Sequence, residues 1–104
     1  MDISIQSEIN EGIVKSIRQN LSLFNCIDNV YLFGSVLRKN KIPHDIDLLL
    51  VYSKCPEMLI NDINKTRCVL EEICGLPIDF TVLSIEELNN TKFLERIDIY
   101  LKLK

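Results

Sequence analysis

Apolar residues recur at helical spacing through the N-terminal part of the chain: Ile9, Ile13, Ile17, Leu21 and Phe24, with Val14 beside them. Glu8, Glu11, Lys15, Arg18 and Gln19 fill the other face. That pattern predicts one amphipathic helix, with Gly12 a mild weak point inside it. After a turn over Cys26 to Asn29 the period changes to two. Val30 and Leu32 alternate with Tyr31 and Phe33, which predicts a strand. Gly34-Ser35 ends this strand and opens a short helix from Ser35 to about Arg38. Asn40 to His44, with Pro43, is a loop. Asp45 to Tyr52 predicts a second strand, built on the apolar run Leu48 to Val51. Pro56 suits the first turn of a second long helix, which Leu59, Ile63, Leu70 and Ile73 continue and Gly75 stops. Ile78 to Leu83 predicts a third strand. Ser84-Ile85-Glu86-Glu87 carries a capping-box signature for another short helix. Phe93 and Leu94 suggest a helical turn, and Ile97, Ile99, Leu101 and Leu103 alternate as a short last strand would.

The order α-β-α-β-α-β-α-β places the chain in the α/β (α+β) class, as a small mixed sheet of about four strands with helices packed mainly on one face. The opposite face would carry the acids and stay partly open to a ligand. At 104 residues the chain fits one domain, residues 1–104, with a single modest core. It has no apolar run long enough to span a bilayer. Met1-Asp2-Ile3-Ser4 lacks the basic and apolar regions of a signal peptide, so a cytoplasmic location is expected. A net charge of −3 argues against binding a phosphate backbone without regard to sequence. The basic segment Arg38-Lys39-Asn40-Lys41 could still hold a single nucleotide. Cys26, Cys55, Cys68 and Cys74 show no metal-ligand spacing, and the chain has one His, so partly buried, reduced thiols are expected.

The chemistry concentrates in Tyr31-Leu32-Phe33-Gly34-Ser35 and in Asp45-Ile46-Asp47. Acids two apart on a strand point to one face, roughly 6.5 Å apart between Cα atoms at about 3.3 Å rise per residue. Two such carboxylates repel, and a hard cation such as Mg²⁺ relieves that repulsion. Asp79, between Ile78 and Phe80, can face the same pocket if its strand lies beside the Asp45/Asp47 strand. Three carboxylates around one or two metal ions, next to a Gly-Ser turn, make a phosphoryl- or nucleotidyl-transfer site. Gly34 lets the backbone approach a phosphate closely. The amides at the helix start form an anion site. The Ser35 hydroxyl can donate to a phosphate oxygen, and Arg38 can bind phosphate in bidentate fashion. Tyr31, Tyr52 and Tyr100 could stack a base, with packing the default for each.

Gly34-Ser35, then Asp45-Ile46-Asp47, then Asp79 resembles the DNA polymerase β-like nucleotidyltransferase superfamily, and most closely its minimal branch. That branch includes the antitoxin halves of HEPN/nucleotidyltransferase toxin–antitoxin pairs. The resemblance implies that Asp45 and Asp47 hold the metals and that Asp79 completes the metal site where the acceptor hydroxyl is activated. It also implies two Mg²⁺ ions, ATP as donor, and AMP transfer to a tyrosine hydroxyl on a small all-helical partner of the HEPN type. The alternative is a catalytically silent nucleotide-binding or toxin-neutralising module. The nucleoside triphosphate is the expected ligand, nucleic acid is disfavoured, and a homo-oligomer stays open. Nine residues separate Ser35 from Asp45 where minimal members usually have ten. Lys39 and His44 stand where they tend to carry Gly and Ser.

Overall fold

The computed structural model describes residues 3–38, 42–54, 59–97 and 99–104, with the side chains of residues 3–9 and 60 outside that description. Ile9 and Glu8 as side chains, Lys39, Asn40, Lys41, Cys55 and Pro56 therefore lie outside it. The elements run α1 (Ile3–Gln19), β1 (Asn29–Phe33), β2 (Ile46–Tyr52), α2 (Leu59–Cys74), β3 (Ile78–Ser84), α3 (Ile85–Thr91), α4 (Phe93–Arg96) and β4 (Tyr100–Lys102). Single 3-10 turns occupy Leu21–Phe24 and Ser35–Leu37.

The expected first helix is broken near its end. Asn20 turns its side-chain amide back onto the Ser16 carbonyl at 2.7 Å, satisfying an acceptor that the ended helix leaves open. The chain then tightens into the 3-10 turn, which still brings Phe24 into the core beside Ile13 and Ile17. In α2 the buried stripe is Leu59, Ile63, Thr66 and Leu70, whereas Ile73, expected on that stripe, is exposed. Thr66 can be buried because its hydroxyl donates to the Leu23 carbonyl at 3.1 Å. Gly75 ends the helix with φ +73°. Ser84 and Glu87 exchange both bonds of the capping box, each at 3.0 Å.

The sheet order is β3-β2-β1-β4. β1 pairs antiparallel with both β2 and β4, and β2 pairs parallel with β3. One face presents Val30, Leu32, Ile46, Leu48, Leu50 and Ile78 to α1 and α2, and this is the main core. On the other face Leu49 and Val51 are also fully buried. Phe93 of α4 meets Phe33 there edge-on, with centroids 5.5 Å apart, which puts α4 on that second face. β2 is thus covered on both sides, as a continuous apolar run requires.

Burying a Val or Leu contributes about 1.5–3 kcal/mol, so the Leu48–Val51 run fixes the register of β2. A slip of one residue would turn Asp47 into the core. At the C-terminus β4 is shorter than the alternation suggests: Ile99 is exposed, and only Leu101 and Leu103 pack on the core. Cys26 and Cys68 are exposed free thiols, contrary to the expected partial burial, while Cys74 is partly buried and burial pushes its thiol up.

Candidate active site

The ladder registers align the acids. Asp47 is the partner of Asp79 on β3 and of Phe33 on β1, and Phe33 is in turn the partner of Tyr100 on β4. Directly paired residues share a face. Asp79, Asp47, Phe33 and Tyr100 therefore form one row across all four strands, on the face away from the long helices. Asp45 lies in the bend just before β2, not on the strand itself as its spacing suggested. Its carboxylate still joins the others. One carboxylate oxygen from each of Asp45, Asp47 and Asp79 lies within 4.8 Å of the other two. Asp45 and Asp47 are half-buried, and Asp79, on the edge strand, is exposed.

This crowding has an electrostatic consequence. Burial pushes the Asp47 carboxyl above the usual aspartate range, and the neighbouring charges of Asp45 and Asp79 push it further. The donor set is all oxygen, which suits a hard divalent cation, and a cation would reverse the repulsion.

Two backbone devices hold the acids in line. The Ile46 N–H donates to the Pro77 carbonyl at 2.9 Å, joining the entrances of β2 and β3. The Ile78 N–H donates to the Glu71 carboxylate of α2 at 2.8 Å, one residue before Asp79. Nothing in the sequence distinguishes Glu71 from the other acids of α2. Its role appears only once α2 has packed beneath the start of β3.

Gly34 has φ +85° and ψ −155°, a region that is essentially glycine's alone. A Cβ built there would collide with the Asp47 carboxylate. Gly34 is thus needed twice, for its backbone and for the space that Asp47 fills. The turn after it is a single 3-10 turn, shorter than the predicted helix, and Gly34 occupies its N-cap position. Ser35 follows directly, half-buried, and its carbonyl accepts the Arg38 N–H at 3.0 Å. Arg38 is extended and exposed, and it borders a pocket shared with Gly34. His44 is exposed. Tyr31 and Tyr100 pack edge-on with centroids 5.7 Å apart, and Tyr52 is packed against the core.

Gly34→Ala is expected to cost about 1–3 kcal/mol of stability from the backbone alone. It should also displace the Asp47 carboxylate, so the affinity of the three-acid cluster for Mg²⁺, the cation that its oxygen donors suit, should fall at temperatures where the variant is still folded. Urea denaturation and calorimetric titration measure the two effects separately. Unchanged Mg²⁺ affinity would show that Asp47 does not depend on the space at Gly34.

A similar fold occurs in a crystal structure of a Sulfolobus solfataricus protein described as a "putative nucleotidyltransferase". The two superpose with a TM-score of 0.51 over 98% of this chain and 86% of that one, at 23% identity, a likeness of fold. No curated protein matches the sequence significantly. Among the described residues no helix is long and apolar enough to cross a membrane. The sequence model of the family described as "Polymerase beta, Nucleotidyltransferase" matches residues 15–103, which takes in β1, the Gly-Ser turn and all three acids. The chain belongs to the polymerase β nucleotidyltransferase family.

Proposed function

We propose that this nucleotidyltransferase-family chain moves a nucleoside monophosphate, AMP from ATP, to a protein hydroxyl in a Mg²⁺-dependent reaction. We further propose that it does so as the antitoxin of a toxin–antitoxin pair with a small all-helical HEPN-type partner. The observation that carries the reading is the three-carboxylate cluster, with oxygens within 4.8 Å of one another, beside the Gly34-Ser35 turn. Asp45, Asp47 and Asp79 would hold the metal, which supplies Lewis acidity at the phosphate oxygens when bound. Gly34, Ser35 and Arg38 border the position for the phosphates.

The chain's own residues give the reaction a direction. Asp79 is exposed on an edge strand, open to an acceptor delivered by another molecule. The acceptor oxygen attacks the α-phosphorus, the bond from that phosphorus to the α,β-bridging oxygen breaks, and pyrophosphate leaves with the electron pair. The hydroxyl proton passes to the Asp79 carboxylate and then to water. A net charge of −3 favours a protein acceptor over a nucleic-acid one. The toxin–antitoxin role rests on resemblance to the minimal branch.

The test combines the purified chain, Mg²⁺, labelled ATP and the helical protein encoded by a neighbouring reading frame. Label should appear on a tyrosine of that protein only when Mg²⁺ is present, and Mg²⁺–ATP should raise the melting temperature of the chain. Binding without transfer would favour the silent, toxin-neutralising alternative. Neither binding nor transfer would overturn the reading.

A further inference from the structure

Next to the acids lies a pocket of about 250 Å³ bounded by Phe33, Gly34, Arg38, Arg96, Ile97 and Ile99. Its wall toward the acids is Gly34, where an added Cβ would collide with the Asp47 carboxylate. Arg38 comes from the segment after β1 and Arg96 from the last turn of α4, fifty-eight residues later in sequence (96 − 38). Two arginines from distant parts of the chain thus border one small cavity. Phe33 helps to fix the α4 side by its ring contact with Phe93 of α4.

In-line displacement puts the acceptor and the leaving group on opposite sides of the reacting phosphorus. With the acceptor entering over the edge strand β3, beside Asp79, the leaving group extends the other way, toward β1 and β4. The arginine-bordered pocket lies on that side of Gly34. Arginine suits this task because its planar fork binds phosphate oxygens in pairs and stays charged at all working pH values.

We infer that Arg96 is a second phosphate-binding residue, which acts with Arg38 to grip the β- and γ-phosphates of the donor and to stabilise the departing pyrophosphate. This rests on the nucleotidyl-transfer reading above. It adds a residue that lies outside the Gly-Ser, Asp-x-Asp and third-Asp motifs, and it makes the bound substrate a nucleoside triphosphate in particular.

The test is calorimetric titration of Mg²⁺–ATP, and its displacement by inorganic pyrophosphate, on wild type, Arg96→Ala, Arg96→Lys and the control Lys65→Ala, an exposed cation on α2 across the sheet from the acids. Loss of a charge-assisted contact predicts about a ten- to hundredfold weaker affinity for ATP in Arg96→Ala. Pyrophosphate should lose potency by a similar factor. Arg96→Lys should recover part of both losses, and Lys65→Ala should behave as wild type. Arg96 is exposed, so melting temperatures should match that of the wild type. Wild-type binding with an unchanged Arg96→Ala would overturn the inference and leave the transfer reading standing. An equal loss in Lys65→Ala would also overturn it, because the effect would then be general electrostatics. A wild type that binds neither ATP nor pyrophosphate would defeat both readings.

Discussion

Asp47→Asn is expected to melt above the wild type in metal-free buffer at neutral pH and to lose nucleotide transfer by orders of magnitude. The two halves of this result share one cause. In the folded chain the Asp47 carboxyl is held above its ordinary value by burial and by the charges of Asp45 and Asp79. Between the unfolded value, near 3.8, and the raised folded value, the native state keeps a proton that the unfolded chain has lost. Stability therefore falls as pH rises through that window, and above it the full penalty of the buried, repelled charge is present. Asparagine has the same shape and no charge, so it escapes the penalty. The gain in melting temperature should vanish at acid pH, where wild-type Asp47 is protonated, and reach its full size above the raised value. Added Mg²⁺ should reverse the order, because a cation held by the native state stabilises wild type by mass action and has one carboxylate fewer in the variant. Thermal melts of both proteins from acid to neutral pH, with and without Mg²⁺, measure every part of this. A variant less stable than wild type at neutral pH in the absence of metal would show that Asp47 is tied into the fold by attractive contacts, and the cluster would not be a cation site.

The repulsion that makes the cluster unstable without a cation is what made it legible in the sequence. Two acids two residues apart at the start of an apolar run have no packing role, and the alternation of Val30, Leu32, Ile46, Leu48 and Leu50 shows which face they leave. The pairing of the Asp79 strand stayed conditional in the sequence, and the structure supplies it, with the helix ended by Gly75 returning the chain for a parallel pairing beside β2. What stayed hidden depends on contacts between distant parts of the chain. Helical periodicity carries Phe24 in register with Ile17, so the break at Asn20 is invisible until its side chain is seen on the Ser16 carbonyl. The spacing favoured Ile73 for the core, but Thr66 takes a buried position because the Leu23 carbonyl is there to accept its proton. Gly34 reads as a turn residue, whereas its closeness to Asp47 arises from the β1–β2 register. Glu71 and Arg96 look like ordinary surface charges on helices until the folded chain brings them to the strand entrance and to the pocket.

Asp79→Asn is expected to bind Mg²⁺–ATP within a few-fold of wild type while losing transfer by orders of magnitude. Asp79 differs from the other two acids in position. Asp45 and Asp47 are half-buried at the entrance of strand β2, and Asp47 lies against Gly34. Asp79 is exposed on the edge strand, with Asp47 between it and Phe33 of the arginine-bordered pocket. The metal that travels with the triphosphate should therefore rest mainly on Asp45 and Asp47, and Asp79 should act on the incoming hydroxyl. Removing its charge takes away a proton acceptor and a metal ligand on the acceptor side, both of which belong to the chemical step, so kcat falls while the Kd for the nucleotide barely moves. Two measurements on the one variant decide the matter: calorimetric binding of a non-hydrolysable ATP analogue, and transfer of labelled AMP to the proposed helical partner. Joint loss of binding and transfer would make Asp79 a ligand of the nucleotide-bound metal and would move the acceptor's base elsewhere. If neither changes, the edge-strand carboxylate serves only the fold, and the direction assigned to the reaction, acceptor over β3 and pyrophosphate toward β1 and β4, fails with it.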